Sequence, residues 1–369
     1  MIRKTLSRSY VPVCWLIWLV LLFRPELLAP GHNPFVLASA SLGIFLAMLG
    51  CVFTVVSYAD DLAEMLGEPY GTLVLTLSAT AIEASLMLTA MFAGKENPTL
   101  LRDTIFATFM ILLNGLVGLS LSAAGWRHLE QKFNLRGALS FLHLIAPLSL
   151  ILLVIPNHSR SSTGATLAPA QEAFLGALCV VAYLLFLLLQ TTRHRSLFDH
   201  PHPERDDAAN GHPAGEKHPR ALLRSTLNLI LAILPIVLLA EHLGGLIDYG
   251  IETLHAPDAL GGLIVASLVL APEGLGAFKA ALANHMQRAV NICLGSALAT
   301  IALTVPTVLI AAGIQNHSLT LGLSGVDPVL LYATLIVSLI TFGSGRATLL
   351  QGKVHLLLFT AYLFFIFFP

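Results

Sequence analysis

Along most of this chain the apolar residues neither alternate nor recur in stripes; they run on. Near-continuous apolar stretches lie at about 11–29, 35–57, 71–94, 104–126, 138–155, 173–190, 221–243, 260–283, 289–313, 326–345 and 353–368. A helix rises about 1.5 Å per residue, so some 20 apolar residues span the ~30 Å of bilayer hydrocarbon. The pattern therefore predicts an all-α membrane protein with about eleven transmembrane helices. One long polar connection interrupts it, TTRHRSLFDHPHPERDDAANGHPAGEKHPR at 191–220. Rich in Pro, His and charge, that stretch cannot bury a core and reads as a flexible linker. The expected organisation is an N-terminal helix (1–32), a first five-helix group (33–190), the linker (191–220) and a second five-helix group (221–369).

Composition narrows the class. Of 369 residues, 56% are hydrophobic and 11% charged, where a soluble domain has about 25% charged residues. A net charge of −1 without a basic surface argues against nucleic acid as a partner; membrane lipid is the expected surroundings. Cys14, Cys51, Cys179 and Cys293 all fall in apolar stretches without metal-ligand spacing, which makes them small core residues. Arg3, Lys4 and Arg8 precede an apolar run holding Trp15 and Trp18. That run reads as a retained first helix rather than a signal peptide, since no small-residue cleavage site stands out and Arg24-Pro25-Glu26 interrupts it late.

Charge then sets orientation. With the N-terminus inside, sixteen of the 20 Lys and Arg residues fall on the cytoplasmic side; only Arg24, Lys95, Arg102 and Arg160 fall outside. This bias predicts a cytoplasmic N-terminus and linker and a periplasmic C-terminus. Five crossings reverse direction, so the second group is expected upside down relative to the first.

The two groups also match in sequence. Asp60-x3-Glu64 precedes Glu68-x14-Glu83, and Asp248-x3-Glu252 precedes Asp258-x14-Glu273, with Gly71 and Gly261 each three residues after the middle acid. Matched positions at near-equal spacing suggest duplication. Inverted repeats are the signature of secondary transporters, whose site lies near the midplane where the repeats meet.

Glu83 and Glu273 stand near the centres of two 24-residue spans, Gly71–Gly94 and Leu260–Ala283. A carboxylate there costs a few kcal/mol, which points to function. Hard cations such as Ca²⁺ or Na⁺ take oxygen ligands, and a buried carboxyl also takes up protons near neutral pH. One site that holds either is the minimum machinery for antiport. Pro272 cannot donate to the Leu268 carbonyl, which is then free to face an ion; a simple kink is the alternative. Ser78 and Thr80 before Glu83, Asn114 in the following span, and Asn291 and Ser296 after Glu273 offer further oxygens, as ligands or as interhelical glue. Asp60, Asp61, Glu64 and Glu68 gather on the cytoplasmic side, and Asp248, Glu252 and Asp258 on the other. Such patches concentrate cations at two mouths, or are solvated helix-end charge. The linker histidines His194, His200, His202, His212 and His218 read as solvated, with weak metal binding or pH sensing as the alternative.

GEPYGTLVLTLSATAIEASL (67–86), APEGLGAFKAALANHMQRAVNICLGSALATIALTVP (271–306) and SLFDH (196–200) together resemble the bacterial calcium (sodium–potassium)/proton antiporters. These belong to the cation exchanger family within the cation/calcium antiporter superfamily. The resemblance spans essentially the whole chain. It implies an ion-binding glutamate on a kinked helix in each repeat, here Glu83 and Glu273, with Asn114 and Ser296 in the polar segments that follow. It also implies a bacterial inner membrane and a cargo of Ca²⁺, or Na⁺ and K⁺, exchanged for H⁺, without a cofactor. Many calcium exchangers place Gly-Asn four and three residues before each glutamate; here Ala79-Thr80 and Val269-Leu270 stand there, which leaves the choice of cation open. An intramembrane enzyme is the rival class, since Asp60-Asp61-x2-Glu64 faintly resembles an aspartate-rich metal motif. Such enzymes need two acidic clusters facing one cavity, whereas this sequence places them on opposite sides. The expectation is a transporter, not an enzyme.

Overall fold

The structure, a computed structural model, describes residues 10–28, 34–66, 70–93, 98–160, 165–192, 197, 219–315, 317 and 319–368. Its elements are α1 (Tyr10–Phe23), α2 (Pro34–Leu66), α3 (Tyr70–Ala93), α4 (Leu100–His128), β1 (Glu130–Lys132), α5 (Leu135–Leu153), α6 (Pro169–Thr191), α7 (Pro219–Leu254), α8 (Ala259–Leu282), α9 (Met286–Gln315), α10 (Asp327–Phe342), β2 (Arg346–Thr348) and α11 (Leu349–Phe367). Within the described residues, eight helices are long and apolar enough to cross a membrane: α2 and α4 to α9 with α11. The helices α1 and α10 are apolar but shorter, and α3 is a further helix of 24 residues. The expected count of eleven crossings is thus met by eight on length and composition. Each expected span nonetheless coincides with a helix.

Two helices overrun their apolar stretches. The sequence pattern ends α2 near residue 57 and α7 near residue 243, yet they continue to Leu66 and Leu254. Helix formation requires only that nothing breaks it. Ala, Leu, Met and Glu after residue 57 are good helix formers, and neither Gly nor Pro occurs before Gly67. Hydropathy loses the helix where it becomes polar; the backbone does not.

The chain divides into two compact units, each built from both halves of the sequence. The first takes residues up to Asn97 and from Ala209 to Pro272. Here α1, α2, α3, α7 and the start of α8 pack around Cys14, Met48, Cys51, Ile82, Ala232, Ile236 and Leu268. All four cysteines of the chain are buried and free, as expected. Pro235 lies inside α7 and has no N–H to give the carbonyl four residues earlier, that of Leu231. The Trp15 indole fills that role, donating Nε1–H to Leu231 O at 3.1 Å. Cys51 Sγ donates to the next carbonyl, Ala232 O, at 3.3 Å. Gly50 is glycine because the Tyr10 ring occupies the place of a Cβ.

The second unit takes Pro98–Ala208 and Glu273–Pro369. Here α4 and α11 meet through small residues, as membrane helices commonly do. A Cβ on Gly125 would lie 2.5 Å from the Leu349 nitrogen, and one on Gly352 would lie 2.5 Å from the Ser122 nitrogen. Helices α11 and α5 have well-capped starts. Thr348 and Gln351 form a reciprocal capping box on α11, and Asn134 Oδ1 accepts from the Arg136 and Gly137 nitrogens at the start of α5. Strands β1 and β2 pair antiparallel, Gln131 opposite Ala347. The segment Thr320–Leu323 is pinned by Pro98 O, Ala165 O and Leu153 O; a Cβ on Gly322 would overlap the Asn157 amide.

Two interruptions of regular geometry stand out in the second unit. Both α4 and α9 contain a π-helical turn, at Met110–Leu116 and Thr300–Thr304. Such turns insert a residue, free a carbonyl and concentrate at functional positions.

Candidate functional site

Glu83 sits in the middle of α3 and is only 6% exposed, between Ile82 and Ala84, which are also buried. Ser78 and Thr80 are buried on the same helix. At about 100° per residue, Thr80 lies on the Glu83 face and Ser78 well off it, so Thr80 is the better-placed hydroxyl. All three belong to the first unit.

Glu273 is half-buried near the middle of α8. Ser296 Oγ, on α9, donates to its Oε2 at 3.1 Å. Gly274, the next residue, is there because a Cβ would come within 2.7 Å of the Leu116 side chain at the end of the α4 π turn. The last carbonyls of α8 are met from the same unit: Gln131 Nε2 donates to Ala281 O at 2.9 Å, and the His128 ring lies 3.1 Å from Leu282 O. A carbonyl only accepts, so that ring nitrogen carries its hydrogen. Helix α8 runs unbroken through Pro272, so proline here acts within a continuous helix rather than between two half-helices. Leu268 is fully buried in the core of the first unit, and the boundary between the units falls at Pro272–Glu273.

The remaining expected residues distribute as follows. Asn291 Oδ1 accepts from Gln287 Nε2 at 2.8 Å, and Gln287 Oε1 in turn accepts from the Asn134 nitrogen at 2.6 Å. Asn114 lies in the π turn of α4, where its amide donates to Thr334 Oγ1 at 2.8 Å and its oxygen lies 3.2 Å from His355 Nδ1. The structure thus ties Asn114 and Asn291 into polar networks of the second unit, and joins Ser296 to Glu273 directly. Asp60 is exposed and Asp61 half-buried on the extension of α2, which also bears Glu64. On the extension of α7, Asp248 is half-buried and Glu252 exposed, while Asp258 is exposed in the turn before α8. Both acid pairs, Asp60/Glu64 and Asp248/Glu252, therefore sit one helical turn apart on overrunning helices. Glu68 and the linker residues His194, His200, His202, His212 and His218 lie outside the described residues.

Sequence reasoning missed Thr334, Thr341 and His355, all fully or almost fully buried. The available signal was His355 itself, an ionisable group inside an apolar span. Among the described residues no group of three or more His, Cys, Asp and Glu could hold a metal ion. What the helices offer instead is one mid-helix carboxylate each, Glu83 buried and Glu273 half-buried with the Ser296 hydroxyl on it.

Long apolar helices, a mid-helix carboxylate in each of two of them and matching π turns define a membrane transport protein of the exchanger type. The family model of the sodium/calcium exchanger proteins matches residues 11–192 and 224–368, and the chain belongs to that family. It is 40% identical over 317 residues to the putative ionic transporter y4hA of Sinorhizobium fredii, covering 86% of this chain and 85% of that one. It is 38% identical over 332 residues to the sodium-potassium/proton antiporter ChaA of Escherichia coli, covering 90% of each. Its fold is that of the H⁺/Ca²⁺ exchanger CAX, with a TM-score of 0.70 at 16% identity over 98% of this chain and 88% of that one.

Proposed function

We propose that this protein is a secondary antiporter that exports cytoplasmic Ca²⁺, with Na⁺ and K⁺ as further candidate cargoes, in exchange for protons by alternating access. The observation that carries the reading is the matched setting of Glu83 and Glu273. Each stands mid-helix in a 24-residue helix. Each is followed at the same interval by a π turn, 83 to 110 and 273 to 300. Equal spacing of so rare a feature supports a duplicated unit, and hence an inverted pair of five-helix repeats after an N-terminal helix. In this reading Glu83 and Glu273 take a cation when deprotonated and release it when protons arrive from the far side. Thr80, Ser296 and the Leu268 carbonyl add oxygens, with Ser78 and Asn291 as secondary candidates. The acid pairs of α2 and α7 raise the local cation concentration at the two mouths. The Lys/Arg bias supports a cytoplasmic N-terminus and linker in a bacterial inner membrane.

A second reading, Na⁺/H⁺ or K⁺/H⁺ antiport with little calcium activity, is favoured by two observations. One is the 38% identity to a sodium-potassium/proton antiporter. The other is Ala79-Thr80 and Val269-Leu270 where many calcium exchangers have Gly-Asn. Competition among Ca²⁺, Na⁺ and K⁺ in liposomes holding the purified protein separates the two. Calcium that fails to compete with Na⁺ or K⁺ selects the second.

A further inference from the structure

The second unit buries a polar chain that neither glutamate uses. His355 on α11 and Asn114 on α4 have no exposed surface, nor has Thr334 on α10. His355 Nδ1 lies 3.2 Å from Asn114 Oδ1, and its Nε2 lies 3.0 Å from Thr341 Oγ1. An amide oxygen only accepts, so Nδ1 bears the hydrogen and the Thr341 hydroxyl donates to Nε2 of a neutral ring. The chain then continues in one direction. Asn114 Nδ2 donates to Thr334 Oγ1 at 2.8 Å, and that hydroxyl lies 3.5 Å from Met110 Sδ.

Met110 and Asn114 both belong to the π turn Met110–Leu116. A π turn leaves a carbonyl without its usual donor and is stable only where its surroundings hold it. Here α10 and α11 hold it, through Thr334 and His355. The far end of the turn, Leu116, fills the space against Gly274, the residue after Glu273. A packed path therefore runs from His355 through the turn to the backbone that presents a proposed cation-binding carboxylate.

We propose that His355 is a positioning residue for Glu273: it holds the π turn of α4 in the register that seats Leu116 on Gly274. This role rests on the antiport reading above. A polar chain buried in an apolar core is costly unless every member is paired, and an apolar side chain would fill the same space. What an apolar side chain cannot do is donate to the opened turn.

The test uses the full-length protein in proteoliposomes, with proton flux driven by Ca²⁺, Na⁺ or K⁺ and read by an internal pH dye. H355L keeps the volume and removes the hydrogen bonds. It is expected to raise the apparent cation KM about tenfold while kcat stays within about twofold, because a displaced ligand weakens binding. H355N places an amide N–H where Nδ1 stood, and is expected to return KM to within about threefold of wild type. L116A breaks the path downstream, so H355L/L116A is expected to bind no more weakly than L116A alone. Should H355L not fold, G274A still decides. It is expected to push on Leu116 and raise KM, and G274A/L116A to restore it. The positioning role is overturned if H355L leaves KM unchanged, if H355N is as poor as H355L, if the H355L and L116A effects multiply, or if G274A binds like wild type. A wild-type protein without cation-driven proton flux overturns the antiport reading and the role built on it. A working wild type with any of the other four results overturns the positioning role alone.

Discussion

Ser296 donates a hydrogen bond of 3.1 Å to Oε2 of Glu273, joining α9 to α8 beside the proposed cation site. The hydroxyl orients the carboxylate while leaving Oε1 for other partners. Removing it with S296A costs about 1 kcal/mol of carboxylate orientation. The expected outcome is an apparent cation KM raised about fivefold with little change in kcat, measured as cation-driven proton flux in vesicles. An unchanged KM would detach Ser296 from the site.

Trp15 and Pro235 are a matched pair, one donating what the other withholds. W15F stays aromatic but removes the indole N–H from the Leu231 carbonyl, at a cost of about 0.5–1.5 kcal/mol. Thermal unfolding in detergent should show the purified W15F protein melting several degrees below wild type. P235A restores a backbone N–H, so W15F on a P235A background should lose markedly less. Equal losses on both backgrounds would refute the pairing.

Helices α4 and α11 approach so closely that no side chain fits at Gly125 or Gly352. G125V places methyl groups on the Leu349 backbone, which cannot yield as a side chain would. Overpacking of this kind costs about 1–3 kcal/mol or more. The protein should be recovered in reduced amount and elute from size-exclusion columns partly as aggregate. G43A, where nothing lies within 4 Å of the added carbon, should behave as wild type.

Much of this architecture is legible in the sequence, and the illegible parts have physical reasons. Apolar length locates the helices, and the isolated acids at 83 and 273 mark themselves by their cost in an apolar span. The ends of α2 and α7 are lost because hydropathy reports burial in lipid, whereas α2 persists through good helix formers and α7 runs on through Gly244, Gly245 and Gly250. The π turns leave no trace because the residues of Met110–Leu116 and Thr300–Thr304 suit an ordinary α-helical span as well; the extra residue is fixed by what packs around it. Asn114 was legible as a polar residue in a span but not as a partner of His355. The two are 241 positions apart, and only the fold brings them together. The pairing of Trp15 with the Leu231 carbonyl, at a separation of 216, is hidden for the same reason.

The central claim is that Glu83 and Glu273 bind the exchanged ions, and proton flux in everted membrane vesicles tests it most directly. Vesicles with the wild-type protein, acidified inside by respiration, should release protons when Ca²⁺, Na⁺ or K⁺ is added. E83Q and E273Q, inserted in equal amount, should each reduce that release by at least about thirtyfold, the effect of removing one buried charged partner. Release at the wild-type rate from both variants would contradict the account.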